Sequence, residues 1–315
     1  MESHVINKTR NKIFPQVLQG LLMPQKKLAS KLFYDEKGSI LFNEICELDE
    51  YYLTRTEIDI LRNNIDEIAS FVGSDTLLFE LGSGNNLKTR ILLDHLNKIA
   101  LYIPIDISVD YLIHSASMLK FEYPNIPIFP VCKDYTKDFE LPTIEIKYNR
   151  QICFFPGSTI GNFAPYYAKE LLRRISKICG RDGGLLIGAD LKKDTKVLEA
   201  TYNDSKGVTA EFNLNMLERI NNGFHANFDL NQFEHQAVYN EDEGRIEMYL
   251  RSKTDQSVNI NGVNIFIEAG EKILTEYSYK YDFGTFKNLV SDYFEIEKVW
   301  TDKNKLFSVQ YLTVK

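Results

Sequence analysis

The chain has 315 residues, 44% hydrophobic and 26% charged, a balance that supports a packed core and excludes extended disorder. Its 37 basic and 44 acidic residues leave a formal net charge of -7, which excludes a protein built to hold nucleic acid, because a polyphosphate backbone needs a basic face. Four scattered cysteines (Cys46, Cys132, Cys153, Cys179) form no C-x-x-C pair and have no histidine at ligand spacing, so neither a disulfide framework nor a metal site is expected.

The opening MESHVINKTRNKIF is polar where a secretion signal needs an apolar stretch, and no later run approaches the ~20 apolar residues of a membrane span. A cytoplasmic chain without a membrane partner is expected, with His4 in a mobile tail. From Gly38 to Val72 the pattern is helical. Leu41, Phe42, Ile45 and Leu48 fall at helical spacing, and after a break at Asp49-Glu50-Tyr51-Tyr52 a second run from Thr54 carries Ile58, Leu61, Ile65 and Ile68.

From Thr76 short apolar runs alternate with helical ones. TLLFELGSG reads as a strand and its turn, Leu87 to Ile99 as a helix, LYIPIDIS as a strand, and a helix passes through Ser117 to Phe121. IPIFPVCKDY, QICFFPGST and GGLLIGADL read as further strands, with a helix from Tyr166 to Cys179 before the last. Strands this apolar are covered on both faces and predict a parallel, doubly wound α/β sheet. Between Asp194 and Tyr277 the regularity lapses: Val197 to Asn222 reads as helix, and RIEMYLRSK and VNIFIEAGEKILTEYSYKY as antiparallel strands. A helix from Thr285 to Asp292, the strand FEIEKVWTD, the turn Lys303-Asn304-Lys305 and the strand LFSVQYLTVK close the chain as a hairpin. A parallel sheet finished by an antiparallel pair resembles the class I methyltransferase core, a Rossmann-like sheet.

The segment FELGSGNNLKTR leaves a strand, turns through Gly82-Ser83-Gly84 and enters a helix, so backbone N–H groups can approach a ligand closely. A dinucleotide fingerprint places a third glycine three positions on, where this chain has Leu87. Glu80 at the strand end is awkward for a phosphate and useful for a cation such as the sulfonium and ammonium of S-adenosylmethionine. Both departures favour the methyl donor over NAD. Asp106, 24 residues after Gly82, can accept both ribose hydroxyls, and Asp134-Tyr135 can offer an acceptor to the adenine amino group and a face to its ring. Turn glycines and capping aspartates explain any one of these residues alone; the ordered set is harder to explain that way.

Nearly the whole chain resembles the L-histidine Nα-methyltransferases of ergothioneine biosynthesis and the related dimethylallyltryptophan N-methyltransferases. The segments that carry the resemblance are FYDEKGSILFNEI, EYYLTRTE, ELGSGNNLKTR, PIDIS, GSTIGNF, LKKD, ATYNDSKGVTAEFNLN, FDLNQFEH, RIEMYL and TEYSYKY. The resemblance implies a methyltransferase core over 61–195 and 283–315. It also implies a smaller α+β substrate lobe made of 1–60 and an insertion at 196–282. The donor set it implies is Gly82, Lys88, Asp106, Asp134 and Tyr135, the last replacing a phenylalanine usual in the family. For the substrate it implies Tyr51 and Asn162 around the α-amine and α-carboxylate and Tyr202 as a carboxylate donor. Tyr34, Met248, Glu276 and Ser278 are implied to line an imidazole pocket.

The chemistry asks for such residues. Methyl transfer to a neutral amine needs a held lone pair and excluded water more than a strong base, so no dedicated general base is assigned. Glu276 and Ser278, two apart on a strand, point to one face and can contact both nitrogens of one imidazole, which favours histidine over an indole. His235 and the other histidines read as structural, having no partner at catalytic spacing. Three rivals remain: the same reaction on tryptophan, tyrosine or a prenylated indole, an NAD-linked oxidoreductase, and a nonenzymatic S-adenosylmethionine-binding module. The resemblance implies trimethylation to hercynine, with later sulfur insertion left to a separate protein; the sequence is compatible with a monomer.

Overall fold

The computed structural model describes residues 14–84, 86–96 and 98–315; the expectation for His4 lies outside them. The chain forms two compact units, one from the residues up to Tyr51 together with Asp194–Ser278, the other from Tyr52–Lys193 with Tyr279–Lys315. The passages between units therefore fall at 51/52, 193/194 and 278/279, where the sequence expectation put them at 60/61, 195/196 and 282/283.

The first unit opens with α1 (14–21) and α2 (Glu36–Cys46). α2 starts where the Asp35 carboxylate accepts from the Gly38 amide at 2.8 Å, a side-chain cap on an otherwise orphaned donor, and it buries Leu41 and Ile45. α3 (Tyr52–Asn63) and α4 (Ile65–Val72) belong to the second unit, so the run predicted from Thr54 starts at Tyr52 and is interrupted at Asn64.

The second unit continues through β1 (Thr76–Leu81), α5 (Leu87–His95), β2 (Ile99–Asp106), α6 (Val109–Glu122) and β3 (Val131–Cys132). It then adds β4 (Arg150–Phe155), α7 (Pro165–Cys179) and β5 (Gly184–Asp190). Two expectations are corrected here. The helix predicted to reach Ile99 ends at His95, because Leu96 is extended and Ile99 already pairs with Thr76 in the sheet. The predicted strand IPIFPVCKDY shrinks to Val131–Cys132 and an isolated bridge at Ile128, since Pro127 and Pro130 lack the N–H that a continuous ladder needs.

In the first unit the chain resumes with α8 (Thr195–Tyr202) and α9 (Val208–Phe224), then β6 (Phe233–Asn240), β7 (Arg245–Ser252), β8 (Gln256–Ile260), β9 (Val263–Ile267) and β10 (Lys272–Tyr279). The single helix expected over Val197–Asn222 is thus two, because the Asp204 carboxylate accepts from the amides of Val208 and Thr209 and starts α9 afresh. β10, β7 and β6 form a three-stranded sheet, and β8 and β9 a hairpin. Neither β6 nor β8 was foreseen; β6 buries only two of its eight residues, which leaves little alternation to read.

The second unit ends with α10 (Phe283–Val290), β11 (Phe294–Thr301) and β12 (Phe307–Val314). α10 starts two residues before the expected Thr285, which instead completes a reciprocal cap with Asp282. The strand order is β11-β12-β5-β4-β1-β2-β3. β1 runs parallel to β2 and β4, and β4 to β5, whereas β12 is antiparallel to both β5 and β11. Every residue of β1 and β5 is buried, as two-sided cover requires. This is the doubly wound class I methyltransferase sheet, and the crevice at its switch point lies at the carboxyl ends of β1 and β4. Among the described residues no helix is long and apolar enough to cross a membrane.

Candidate active site

At the carboxyl end of β1 the chain turns through Gly82 and Gly84 with φ of +73° and +49°, a left-handed geometry that glycine adopts without a steric penalty. A Cβ on Gly82 would come 3.5 Å from the Tyr135 hydroxyl, so a side chain there would fill the space between loop and ring. Ser83 is buried between the two glycines. Asp106, at the end of β2, accepts from the Ser108 amide at 2.9 Å, and burial raises its pKa. Asp134 accepts from the amide and the hydroxyl of Thr136. Burial, with Asp106 and Asp134 nearby, pushes the Tyr135 phenol up, so it stays protonated; its ring meets Phe155 edge-on at 6.1 Å.

Glu80 is 1% exposed and accepts from the hydroxyls of Thr89 (2.6 Å) and Tyr102 (2.5 Å). Burial pushes its carboxyl up to about 8, so it holds a proton at neutral pH in the absence of a bound cation. Lys88, in the first turn of α5, pairs with Glu57 at 2.5 Å. Asn86 at the start of that helix has a buried Oδ1 without a hydrogen-bond partner. Acceptor, aromatic ring, glycine turn and buried acid fit a nucleoside that bears a cationic amino-acid tail.

On the neighbouring strand ends, β4 leads through Gly157 into a 3-10 turn, Thr159–Asn162, which presents Asn162. A Cβ on Gly161 would lie 2.7 Å from the Tyr279 carbonyl oxygen, so glycine is what allows the turn to press against the chain there. Beside it the Asp190 amide donates to the Ser158 hydroxyl at 2.9 Å. The Asp190 carboxylate is fully buried and gathers Tyr52 (2.7 Å), Lys193 (2.6 Å) and Lys280 (2.8 Å), each within two residues of one of the three passages between units. Burial would raise its pKa, but the two ammonium groups outweigh burial and hold it below the ordinary value. Burial also drives Lys193 down to about 8.

Within the first unit, Tyr51 is buried, and the groups that bear on its phenol electrostatically are Tyr202, Cys46, Tyr34 and Glu276. Desolvation raises the phenol's pKa well above its ordinary value, which keeps it a neutral donor and acceptor. Phe42 meets Tyr34 and Tyr51 edge-on at 5.8 and 6.3 Å. Tyr202 and Ser278 share a 2.8 Å hydrogen bond, and Met248 is buried on β7, adjacent to β10. His235 supports this cluster from behind. Asn213 Nδ2 lies 2.9 Å from its Nδ1, which assigns the proton to Nε2, and Nε2 donates to the Tyr202 carbonyl at 2.7 Å.

The structure thus gathers Glu80, Gly82, Ser83, Gly84, Asp106, Asp134 and Tyr135 at adjoining strand ends. Tyr34, Tyr202 and Glu276 all bear electrostatically on the Tyr51 phenol, with Ser278 two residues after Glu276 on β10 and Met248 on the adjoining β7. Sequence reasoning missed Glu57, Asp190, Lys193 and Lys280, although Glu57 was visible as a charge at an apolar helical position, flanked by Leu53, Ile60 and Leu61. Among the described residues no group of three or more His, Cys, Asp or Glu side chains could hold a metal ion.

Residues 13–314 match the family model described as histidine-specific methyltransferase, SAM-dependent. The histidine N-alpha-methyltransferase of Mycolicibacterium smegmatis is 42% identical over 84% of this chain and 83% of its own length. Ergothioneine biosynthesis protein 1 of Schizosaccharomyces pombe is 33% identical over 81% of this chain, which matches 34% of that longer protein. A solved structure of a protein from Pyrococcus horikoshii OT3 shares the fold, with a TM-score of 0.51 and 14% identity over 90% of this chain and all of that one. The chain therefore belongs to the histidine-specific, S-adenosylmethionine-dependent methyltransferases.

Proposed function

We propose that this enzyme transfers methyl groups from S-adenosylmethionine to the α-amino nitrogen of L-histidine. The observation that carries the proposal is the match to a histidine-specific family over residues 13–314. When bound, S-adenosylmethionine supplies an electrophilic methyl carbon on a sulfonium. The chain's own residues then have four tasks: to hold the nucleoside, to fix the amine, to hold the imidazole and to keep water out.

Gly82, Ser83 and Gly84 bring backbone close to the donor, Asp106 takes the ribose, and Asp134 and Tyr135 take the adenine. Glu80 and Lys88 sit toward its amino-acid end. Tyr51 and Asn162 hold the α-amine of histidine with its lone pair roughly 3–3.5 Å from the reacting carbon. Tyr202 donates to the carboxylate, while Tyr34, Met248, Glu276 and Ser278 hold the imidazole. The phenol of Tyr51, kept neutral by burial, can donate to the amine lone pair or accept from its N–H as methyl groups accumulate, and its ring face stabilises the growing cation.

Three transfers, giving the trimethylated betaine hercynine, complete the proposal. A neutral amine that takes three methyl groups releases a proton after each of the first two transfers and none after the third, so a water path suffices. The four cysteines are all free, which suits the reducing cytoplasm in which we place the enzyme.

The test is mass spectrometry of purified protein with S-adenosylmethionine and an equimolar mixture of the twenty amino acids. Histidine heavier by three methyl groups, with matching S-adenosylhomocysteine, is the expected result. Methylated tryptophan or tyrosine with unchanged histidine would overturn the substrate, and histidine stopped at one or two methyl groups would overturn the product.

A further inference from the structure

Glu57 breaks the pattern of its own helix. α3 buries Leu53, Ile60 and Leu61 along one face, and the carboxylate of Glu57 lies on that face with no exposure to solvent. A buried carboxylate is costly unless each oxygen finds a donor. Here the donors come from two different parts of the sheet. The Gly157 amide donates to both oxygens, at 3.0 and 2.8 Å, and the Lys88 ammonium pairs with Oε2 at 2.5 Å. β5 makes room for the group: a Cβ on Gly188 would come 2.1 Å from Oε1, so only glycine leaves space for it there.

The two donors head the two halves of the chemistry. Lys88 stands in the first turn of the helix that follows the Gly82–Gly84 loop. Gly157 opens the segment that ends at Asn162. An ammonium held only by solvent would leave its four-carbon stem to sample several rotamers, and a loop amide without an acceptor would be free to turn.

We propose that Glu57 is a positioning residue of the methyl transfer, its one buried carboxylate fixing the Lys88 ammonium on the donor side and the Gly157–Asn162 loop on the acceptor side in a single arrangement. This rests on the roles proposed above for Lys88 and Asn162. Glu57 touches neither substrate; it acts through those two residues.

The decisive variant is Glu57→Gln, which keeps an acceptor for Gly157 and removes the charge that holds Lys88. Three quantities are measured: S-adenosylhomocysteine affinity by calorimetry, kcat at saturating substrates, and amide hydrogen exchange across 157–162 without ligand. We expect affinity weakened roughly 10-fold or more, kcat reduced by a similar factor, and faster exchange. In a double-mutant cycle with Lys88→Met the losses of affinity should be strongly non-additive, because both variants break one pair. A lower melting temperature with affinity, kcat and exchange unchanged would reduce Glu57 to a structural group and overturn the proposal, as would additive losses.

Should the glutamine variant not fold, Lys88→Met alone carries the test. Exchange across 157–162 rises if the carboxylate couples the two partners and stays at the wild-type rate if it does not. Affinity and exchange are read without histidine, so failure of the substrate assignment would show as an inactive wild type with these readouts intact.

Discussion

The hydroxyl oxygens of Tyr202 and Ser278 lie 2.8 Å apart and share a hydrogen bond, although 76 positions separate them in the chain. A helix end and a strand are thereby tied at the point where carboxylate and imidazole contacts were assigned, and His235 holds the helix side through the Tyr202 carbonyl. Tyr202→Phe removes the hydroxyl and leaves Ser278, which is 3% exposed, without that partner. The expected outcome is a KM for histidine raised roughly 10-fold with S-adenosylhomocysteine affinity unchanged, about the effect of losing one hydrogen bond to a charged group. Steady-state kinetics with calorimetry of the donor product checks it, and a weakened donor site would contradict the assignment.

Glu276 bears on the Tyr51 phenol and stands two residues before Ser278 on β10. If it accepts from an imidazole N–H, Glu276→Ala loses a charge-assisted hydrogen bond made only by histidine-like substrates. Catalytic efficiency on histidine should fall by roughly 100-fold or more, while donor binding is retained. Wild-type kinetics on histidine in this variant would remove Glu276 from the pocket.

Asn162 is assigned to groups common to all amino acids, so Asn162→Ala should abolish turnover on every amino acid that the wild type accepts, weak substrates included. A loss confined to histidine would contradict that role. Gly161→Ala offers an independent handle on the same turn. Its Cβ must displace the Tyr279 carbonyl from 2.7 Å, which should cost about 1–3 kcal/mol of stability and lower kcat by shifting Asn162. Denaturant titration and kinetics on the same preparation separate the two effects.

The sheet was legible because its strands are continuous apolar runs between helical patterns, and β1 and β5 are indeed buried along their whole length. That the glycine turn, Asp106 and Asp134-Tyr135 stand at adjoining strand ends was legible for a related reason, since a doubly wound sheet puts strand ends together and short motifs at those ends become neighbours. The inserted segment was harder. β6 buries only Phe233 and Ala237, and the break between α8 and α9 depends on one capping carboxylate, Asp204, that no periodicity reveals. Glu57 and Asp190 were missed because each owes its role to partners on other elements: Lys88 and Gly157 for one, Tyr52, Lys193 and Lys280 for the other. Residue type and spacing mark Glu57 as a charge at an apolar helical position but do not reveal which groups on other elements it meets.

Glu80 gives the protein a pH signature of its own. Burial lifts its carboxyl from an ordinary 4.5 to about 8 in the folded chain, with the Thr89 and Tyr102 hydroxyls and the Lys88 charge opposing that shift and the Glu57 charge adding to it. Between those values the folded state keeps a proton that the unfolded state has released. The stabilising contribution of Glu80 is therefore complete below about pH 4.5 and is lost as pH rises through about 8. Lys193 acts in the opposite sense, since its fall to about 8 makes stability rise with pH above that point, so the two can be separated by window. Urea titrations across the lower window should show stability declining in the wild type and a flatter profile in Glu80→Gln, the two curves meeting at the acid end. The donor's cationic tail, if it lies near Glu80, favours the ionised form, so S-adenosylmethionine affinity should strengthen as pH approaches about 8 in the wild type and lose that trend in the glutamine variant. An affinity profile identical in the two proteins would separate Glu80 from the donor's charge.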